Sequence, residues 1–231
     1  MEYKPMMTKE EIDLRVKWHN DLYIRMEDQK KIRRQYLGRN FIIPKEVTPP
    51  AWMSKLLGKS ILDDVRKSDK VLDMGTGCGV NAILAASKST NILAVDLNPF
   101  SVKTGENNAK RNGVADRIKF VQSDLFKNVN GKFDLIIFDP PFRWFAPRDL
   151  REMATTDENF KTMRMFFEQV RNYLRDKGRI LVIYGDSGDL NYFLTLVEEY
   201  RFNKELLRSR AMAKDGRLWG YYAWKLTPVK S

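Results

Sequence analysis

Val71-Leu-Asp-Met-Gly-Thr-Gly-Cys-Gly79 is the stretch whose reading decides the fold. Val71 and Leu72 read as the end of a buried strand, and the Ala-rich apolar run from Val80 to Ala86 reads as a helix. Between them Gly75, Gly77 and Gly79 supply a turn whose backbone can enter left-handed conformations and approach a ligand closely. The helix presents its N-terminal amides to the crevice, so strand, glycine turn and helix together describe a nucleotide-type site. A dinucleotide fingerprint needs its third glycine at position 80, where this chain has Val80, and a dehydrogenase is disfavoured on that spacing. Taken alone the glycines also fit a tight structural turn, so the choice rests on their surroundings.

After residue 70 the chain alternates short apolar runs with helical patterns. Ile92 to Val95, Ile118 to Val121, Leu135 to Phe138 and Ile180 to Tyr184 read as parallel strands covered on both faces, with helical patterns at 100–112, 158–175 and 189–200. That alternation predicts a doubly wound α/β sheet. Trp219 to Leu226 reads as a final strand, following a polar turn from Lys214 to Arg217 and paired with a strand near 203–210. Upstream, apolar residues at helical separations (Ile12 and Val16, Trp18 and Leu22, Ile32 and Tyr36) predict one or two amphipathic helices within 8–38. Arg25, Lys30, Lys31, Arg33, Arg34 and Arg39 form a basic cluster there, either a contact surface for an anionic substrate or a solvated helix face. Pro44, Pro49 and Pro50 break the pattern into an extended segment suited to lie across a site, or to act as a plain linker into a helix over 51–67.

Composition narrows the partners. The 231 residues carry a formal charge of +11, with 43% hydrophobic and 31% charged residues, the usage of a globular domain. Residues 201–231 hold 8 basic and 2 acidic side chains, and residues 1–48 hold 11 and 8, a surface that favours polyanions such as nucleic acid. A single cysteine, Cys78, forbids an internal disulfide, and with His19 alone beside it no zinc-type ligand set is expected. Neither a bilayer-length apolar run nor a signal-peptide core is visible, which predicts a cytoplasmic protein without a membrane partner.

Two further stretches carry chemistry. Asp96 ends the second strand in Ala-Val-Asp-Leu-Asn-Pro, where an acid can accept hydrogen bonds from both hydroxyls of a ribose. Phe138-Asp-Pro-Pro-Phe142 lies at the carboxyl end of the fourth strand. Two prolines make a stiff, extended segment in which the Asp139 carboxylate and the Pro140 carbonyl form two acceptors, matched to the two hydrogens of a planar NH2 group. Phe142 offers a ring on which a flat substrate can stack. Arg143, Trp144 and Arg148 follow directly, two cations and a stacking surface, in a segment (143–157) too long for a simple connection.

These residues resemble a known family. Asp73-x-Gly75-x-Gly77-x-Gly79 is similar to the first motif of the class I S-adenosylmethionine-dependent methyltransferases, and VDLNPFSVKTGENNAKRNG to their small-domain members. Asp139-Pro140-Pro141-Phe142 resembles the (Asn/Asp/Ser)-Pro-Pro-(Tyr/Phe/Trp) motif of members that methylate exocyclic or amide nitrogens. The resemblance covers about residues 41–226 and implies S-adenosyl-L-methionine as cofactor. It places Asp73, Gly75, Thr76, Gly77 and Gly79 around the methionine moiety, Asp96 on the ribose, and Leu97 and Asn98 beside the adenosine. Asp124, with Leu125, falls at the adenine amino group. It further implies a Rossmann-like, seven-stranded, mostly parallel sheet closed by an antiparallel hairpin, with a helical basic extension over 1–48 and the methyltransferase domain over 49–231. Release-factor glutamine methyltransferases carry Asn-Pro-Pro-Tyr, and this chain differs at both ends with Asp139 and Phe142. With Arg143, Trp144, Lys30, Lys31, Arg33 and Arg34 as substrate contacts, the expected acceptor is a base amino group in RNA. A protein glutamine is the alternative, and a catalytically silent binding module a third reading.

Overall fold

The structure, a computed structural model, describes residues 3–27, 30–214 and 216–229. Its elements in chain order are α1 (Lys9–Glu27), β1 (Ile32–Tyr36), β2 (Arg39–Ile43), α2 (Ser54–Asp64), β3 (Lys70–Met74), α3 (Val80–Ala85), β4 (Asn91–Asp96) and α4 (Pro99–Arg111). They continue with β5 (Ile118–Gln122), β6 (Phe133–Phe138), α5 (Lys161–Val170), β7 (Leu174–Gly185), α6 (Leu190–Glu199), β8 (Phe202–Lys214) and β9 (Arg217–Pro228). Seven strands form one sheet in the order β5-β4-β3-β6-β7-β9-β8. Pairing is parallel from β5 through β7, and β9 runs antiparallel to both β7 and β8. The fold is the Rossmann-like doubly wound sheet with a C-terminal hairpin that the strand pattern implied.

Alternation along the central strands divides the core between the two faces. Leu72, Met74, Ile136, Phe138, Ile180 and Val182 pack with α5 and α6, while Val71, Leu135, Ile137, Leu181 and Ile183 pack with α2, α3 and α4. At the sheet's centre, Met74 at the end of β3 stands opposite Phe138 at the end of β6. The chain winds to one side of β3 through β4 and β5, then crosses back to β6, so the two strand ends flank the switch point where open α/β sheets bind ligands. Asp73 to Gly79 leaves one end and Asp139 to Phe142 leaves the other.

The N-terminal part differs from the expectation of helix over 8–38. Helix α1 stops at Glu27, residues 28 and 29 lie outside the described set, and β1 and β2 form an antiparallel hairpin with Tyr36 opposite Arg39. Leu37 (φ 45°) and Gly38 (φ 77°) form its two-residue turn, both in the left-handed region that such hairpins require. Ile32 and Tyr36, four apart, satisfy a strand face as well as a helix face, which is why the periodicity misled. The helical pattern over 158–175 is likewise shorter: Asn159 and Phe160 take positive φ, α5 covers only 161–170, and β7 begins at Leu174. The hairpin turn expected at 214–217 is present, with Asp215 outside the described residues.

The hairpin β1–β2 is tied to the sheet by amides. Asn108 of α4 accepts from Ile42 N at 2.9 Å and donates to Ile42 O and Cys78 O, and Asn112 accepts from Asn40 N at 3.0 Å. Helix α1 reaches the far edge, where Trp18 packs on Trp219 with ring centroids 4.4 Å apart. Helix α1 and the start of β9 thus come to the carboxyl end of β7.

Candidate active site

The glycine loop is open toward the crevice. Gly75 (φ 69°) and Gly77 (φ 54°) both sit in left-handed conformations, and a Cβ on either would meet nothing within 4 Å. Gly79 (φ 85°) is used differently: a Cβ there would stand 2.9 Å from Gly105 Cα, so this glycine lets the loop lie against α4. Beneath the loop, Asp73 Oδ2 accepts from Thr76 Oγ1 at 2.5 Å and from Ala82 N at 3.0 Å. Burial raises the Asp73 carboxyl to about 7 against those hydrogen bonds. Among the described residues, Asp73 Oδ1 and Asn81 Oδ1 are buried acceptors without a partner. An open, glycine-lined turn over bare acceptors suits the ammonium end of an amino acid, so these residues fit S-adenosylmethionine.

Asp96 ends β4 beside this loop. Its Oδ2 accepts from Gly77 N at 2.8 Å and its Oδ1 from Asn98 N at 2.9 Å. Burial pushes its pKa up and the backbone donors oppose that. The Ser101 side chain also hydrogen-bonds this carboxylate. Asn98, expected beside the adenosine, is spent on structure: its Oδ1 caps α4 through Phe100 N and its Nδ2 donates to Glu46 O. Leu97 is exposed at the start of that turn. Asp124 is exposed after β5, and Leu125 takes φ 45° with its carbonyl bonded to Ser123 Oγ.

Across the switch point a cavity of about 920 Å³ opens beside Gly75, Thr76 and Gly77. Asp139, Pro140 and Phe142 line it, whereas Pro141 does not. Asp139 Oδ2 accepts from Ser54 Oγ at 2.8 Å. Burial raises the Asp139 carboxyl to about 6, and the Ser54 hydroxyl holds it from rising further. Phe142 lies against Tyr184 (4.6 Å between centroids) and parallel to Tyr221, which meets Trp52 edge-on at 5.2 Å. Tyr36 completes this end of the wall, 2% exposed, with a hydroxyl that has no partner among the described residues.

The substrate residues expected from sequence divide. Arg34 lines the cavity, its Nη1 donating to Pro50 O at 2.6 Å, while Lys30, Lys31 and Arg33 are exposed and do not line it. Arg33 and Arg34 point to opposite faces of β1, and Gln35, on the Arg33 face but nearer the cavity end of the strand, lines it as well. Arg143 lines the cavity: its guanidinium donates to Ser187 O, its Nε has no partner among the described residues, and burial lowers its pKa to about 10. Trp144 packs away from the cavity among Tyr3, Phe145 and Phe160. The segment 143–157 is docked on α1 through His19–Glu152, Tyr23–Asp149 and Arg151 to Met26 O.

Ser54, Tyr36, Asn81, Lys55 and Lys214 are lining residues that sequence reasoning did not single out. Ser54 and Lys55 sit in the first turn of α2, and Tyr36 read as a helix residue; only tertiary contact brings them to Asp139. Among the described residues the cavity wall carries Arg25, Arg34, Lys55, Arg143 and Lys214 against a single carboxylate, Asp139. No group of three or more histidine, cysteine, aspartate or glutamate side chains among the described residues could hold a metal ion.

The model of the methyltransferase small domain family matches residues 53–210. The chain belongs to that family. A Methanocaldococcus jannaschii protein with the provisional name protein N5-glutamine methyltransferase is 38% identical over 148 residues, which span 60% of this chain and 72% of that one. A release factor glutamine methyltransferase of Francisella tularensis is 26% identical over 66% of this chain and 59% of its own length. Among solved structures, the T. thermophilus 16S rRNA N2 G1207 methyltransferase in complex with AdoMet and guanosine superposes with a TM-score of 0.65. It is 17% identical, and the match covers 87% of this chain and 50% of that one. The last two matches leave a third or more of those proteins' length outside this chain. The family uses S-adenosylmethionine, in agreement with the open loop over Asp73 and Asn81.

Proposed function

We propose that this chain transfers a methyl group to an exocyclic amino nitrogen of a base in RNA, rRNA or tRNA. The carrying observation is the composition of the cavity. Asp139 and Pro140 stand beside the glycine loop in a wall of five cations, one carboxylate and the rings of Phe142, Trp52 and Tyr221. A flat base stacks on such rings while its flanking phosphates meet Arg34 and Arg143. S-adenosylmethionine, when bound, supplies an electrophilic methyl on its sulfonium. Asp139 and the Pro140 carbonyl accept the two amino hydrogens, draw the nitrogen toward tetrahedral geometry and turn its lone pair toward the loop. No strong base is needed before transfer, and a carboxyl near 6 can take up the proton released afterwards. On this reading the described part of residues 1–48 is a basic extension whose inner face completes the acceptor site of the domain over 49–231. The enzyme works in the cytoplasm, where such RNA is found; among the described residues no helix is long and apolar enough to cross a membrane.

A second reading, methylation of a protein glutamine, is favoured by the 38% identical relative and rests on the same two acceptors, since an amide also presents a planar NH2. Labelled methyl transfer from S-adenosylmethionine into a cell extract separates the two. Label lost to nuclease and kept after protease supports RNA; label lost to protease alone overturns it in favour of protein.

A further inference from the structure

Ser54 opens helix α2 and sits on the cavity wall, 5% exposed. Its hydroxyl donates to Asp139 Oδ2 at 2.8 Å, joining residues 85 apart in the chain. The helix that carries it is held fast, since Leu57 and Ile61 are fully buried and Gly58 packs on Leu37 and Leu84 without room for a Cβ. The other oxygen of Asp139 is in a different state. Asp139 is partly exposed and lines the cavity, and its Oδ1 has no hydrogen-bond partner among the described residues, yet it is not one of the unpartnered atoms closed off by burial. The carboxylate therefore has one oxygen tied and one open. Among the described residues no cation pairs with it, and the Ser54 hydroxyl alone opposes the rise that burial imposes. Asp73 and Tyr36 feel its charge, and neither is a cation. Pro140 keeps the Asp139 backbone extended, so the direction of the free oxygen is left to the side-chain torsions, and a tether to a rigid helix fixes them.

We propose that Ser54 is a positioning residue: by tethering Oδ2 it holds Oδ1 of Asp139 toward the exocyclic amino group of an RNA base. The proposal rests on reading Asp139 as an acceptor for that amine, and goes beyond it in giving each oxygen its own task.

Protein-free RNA from a cell extract serves as acceptor and labelled S-adenosylmethionine as donor. Without the hydroxyl, burial carries the Asp139 carboxyl further up, so Ser54→Ala should move the acid limb of kcat/KM above about 6. At a pH of about 9 the carboxyl is ionised with or without Ser54, and any loss that persists there is one of geometry. There kcat should remain about tenfold below wild type, with the KM for RNA and the S-adenosylmethionine Kd within about twofold. Ser54→Thr keeps a hydroxyl and should recover most of that kcat. In an Asp139→Ala background, Ser54→Ala should cost less than about twofold, because the tether has nothing left to hold. Wild-type kcat in Ser54→Ala at that pH, or an undiminished loss in the Asp139→Ala background, overturns the proposal. Should Ser54→Ala fail to fold, Ser54→Cys, of similar shape and with only a weak donor, takes its place with the same expectations. The pair can also be read with no acceptor present. In protein carrying 13C-labelled aspartate, the Asp139 carboxyl, assigned by its absence from Asp139→Asn, should titrate higher in Ser54→Ala than in wild type; an unchanged titration overturns the tether. Label that enters protein and leaves RNA bare would overturn the proposed function itself, while this titration still decides whether Ser54 holds Asp139.

Discussion

Asp139→Asn should flatten the acidic side of the rate profile while leaving the enzyme active. Asp139 is the stronger acceptor when ionised, because protonation turns one of its oxygens into a donor, and burial sets its carboxyl to about 6 in the ligand-free protein. Because kcat/KM reports the free enzyme, it should fall below about 6 in wild type, toward the level set by the neutral carboxyl. Asparagine keeps one acceptor oxygen and does not titrate, so its profile should lack that limb, with activity at neutral pH within about tenfold of wild type. Asp139→Ala should lose about a hundredfold or more, the usual cost of one preorganised partner. The same pKa predicts an opposite effect on stability. The native state binds this proton more tightly than the unfolded chain, whose carboxyl titrates near its ordinary value of about 3.9. Ionisation therefore penalises the fold, fully above about pH 6 and vanishing as the pH falls from there toward 4. Asp139→Asn should raise Tm at pH values near 8 and lose that advantage near 4. Initial rates with labelled S-adenosylmethionine and thermal melts across this range check both. An acid limb near 6 persisting in Asp139→Asn would assign it to another group and refute the reasoning.

Asp96→Ala should weaken S-adenosylmethionine by about 1–3 kcal/mol through ribose donors left unpaired, measured by calorimetry; unchanged affinity would remove Asp96 from the site. Gly79→Ala should destabilise the protein by about 1–3 kcal/mol, since the new Cβ meets Gly105 Cα at 2.9 Å and φ is 85°; a melt at the wild-type temperature would refute the packing role of this glycine. Arg34→Ala should lower the salt dependence of RNA binding by about one phosphate contact, while Arg33→Ala, on the opposite face of β1, should change it less. Equal slopes for the two would mean that the whole basic cluster acts as a diffuse field.

The sheet and the positions of its chemistry were legible because each rests on local pattern. Continuous apolar runs mark strands buried on both faces, and motifs at strand ends fall at the crevice by topology alone. What escaped depended on contacts remote in sequence. Ile32 and Tyr36 fit both periods, and the deciding signal was the positive-φ pair Leu37-Gly38, in which leucine is an unusual turn residue. Trp144 carries a stacking ring beside the Asp139 motif, yet Tyr3 and Phe160, from both sides in sequence, claim it for the core. His19 invited attention only as a metal ligand and found a different use against Glu152, 133 residues away.

The site divides along the boundary of the family match. The glycine loop, Asp96, Ser54 and Asp139 all fall within residues 53–210, the segment that the family model matches. His19, Arg25, Arg34, Tyr36, Pro49, Pro50 and Trp52 precede that segment, and Met212, Lys214 and Tyr221 follow it, yet all line the same cavity. Trp18 on Trp219 and Trp52 on Tyr221 lock the leading and trailing parts together. On the proposed reading the groups beside the glycine loop accept any planar amine, and acceptor choice is read from the part of the wall outside the matched segment. Under the proposed function, the five cations there, opposed among the described residues by Asp139 alone, turn the site toward a polyanion.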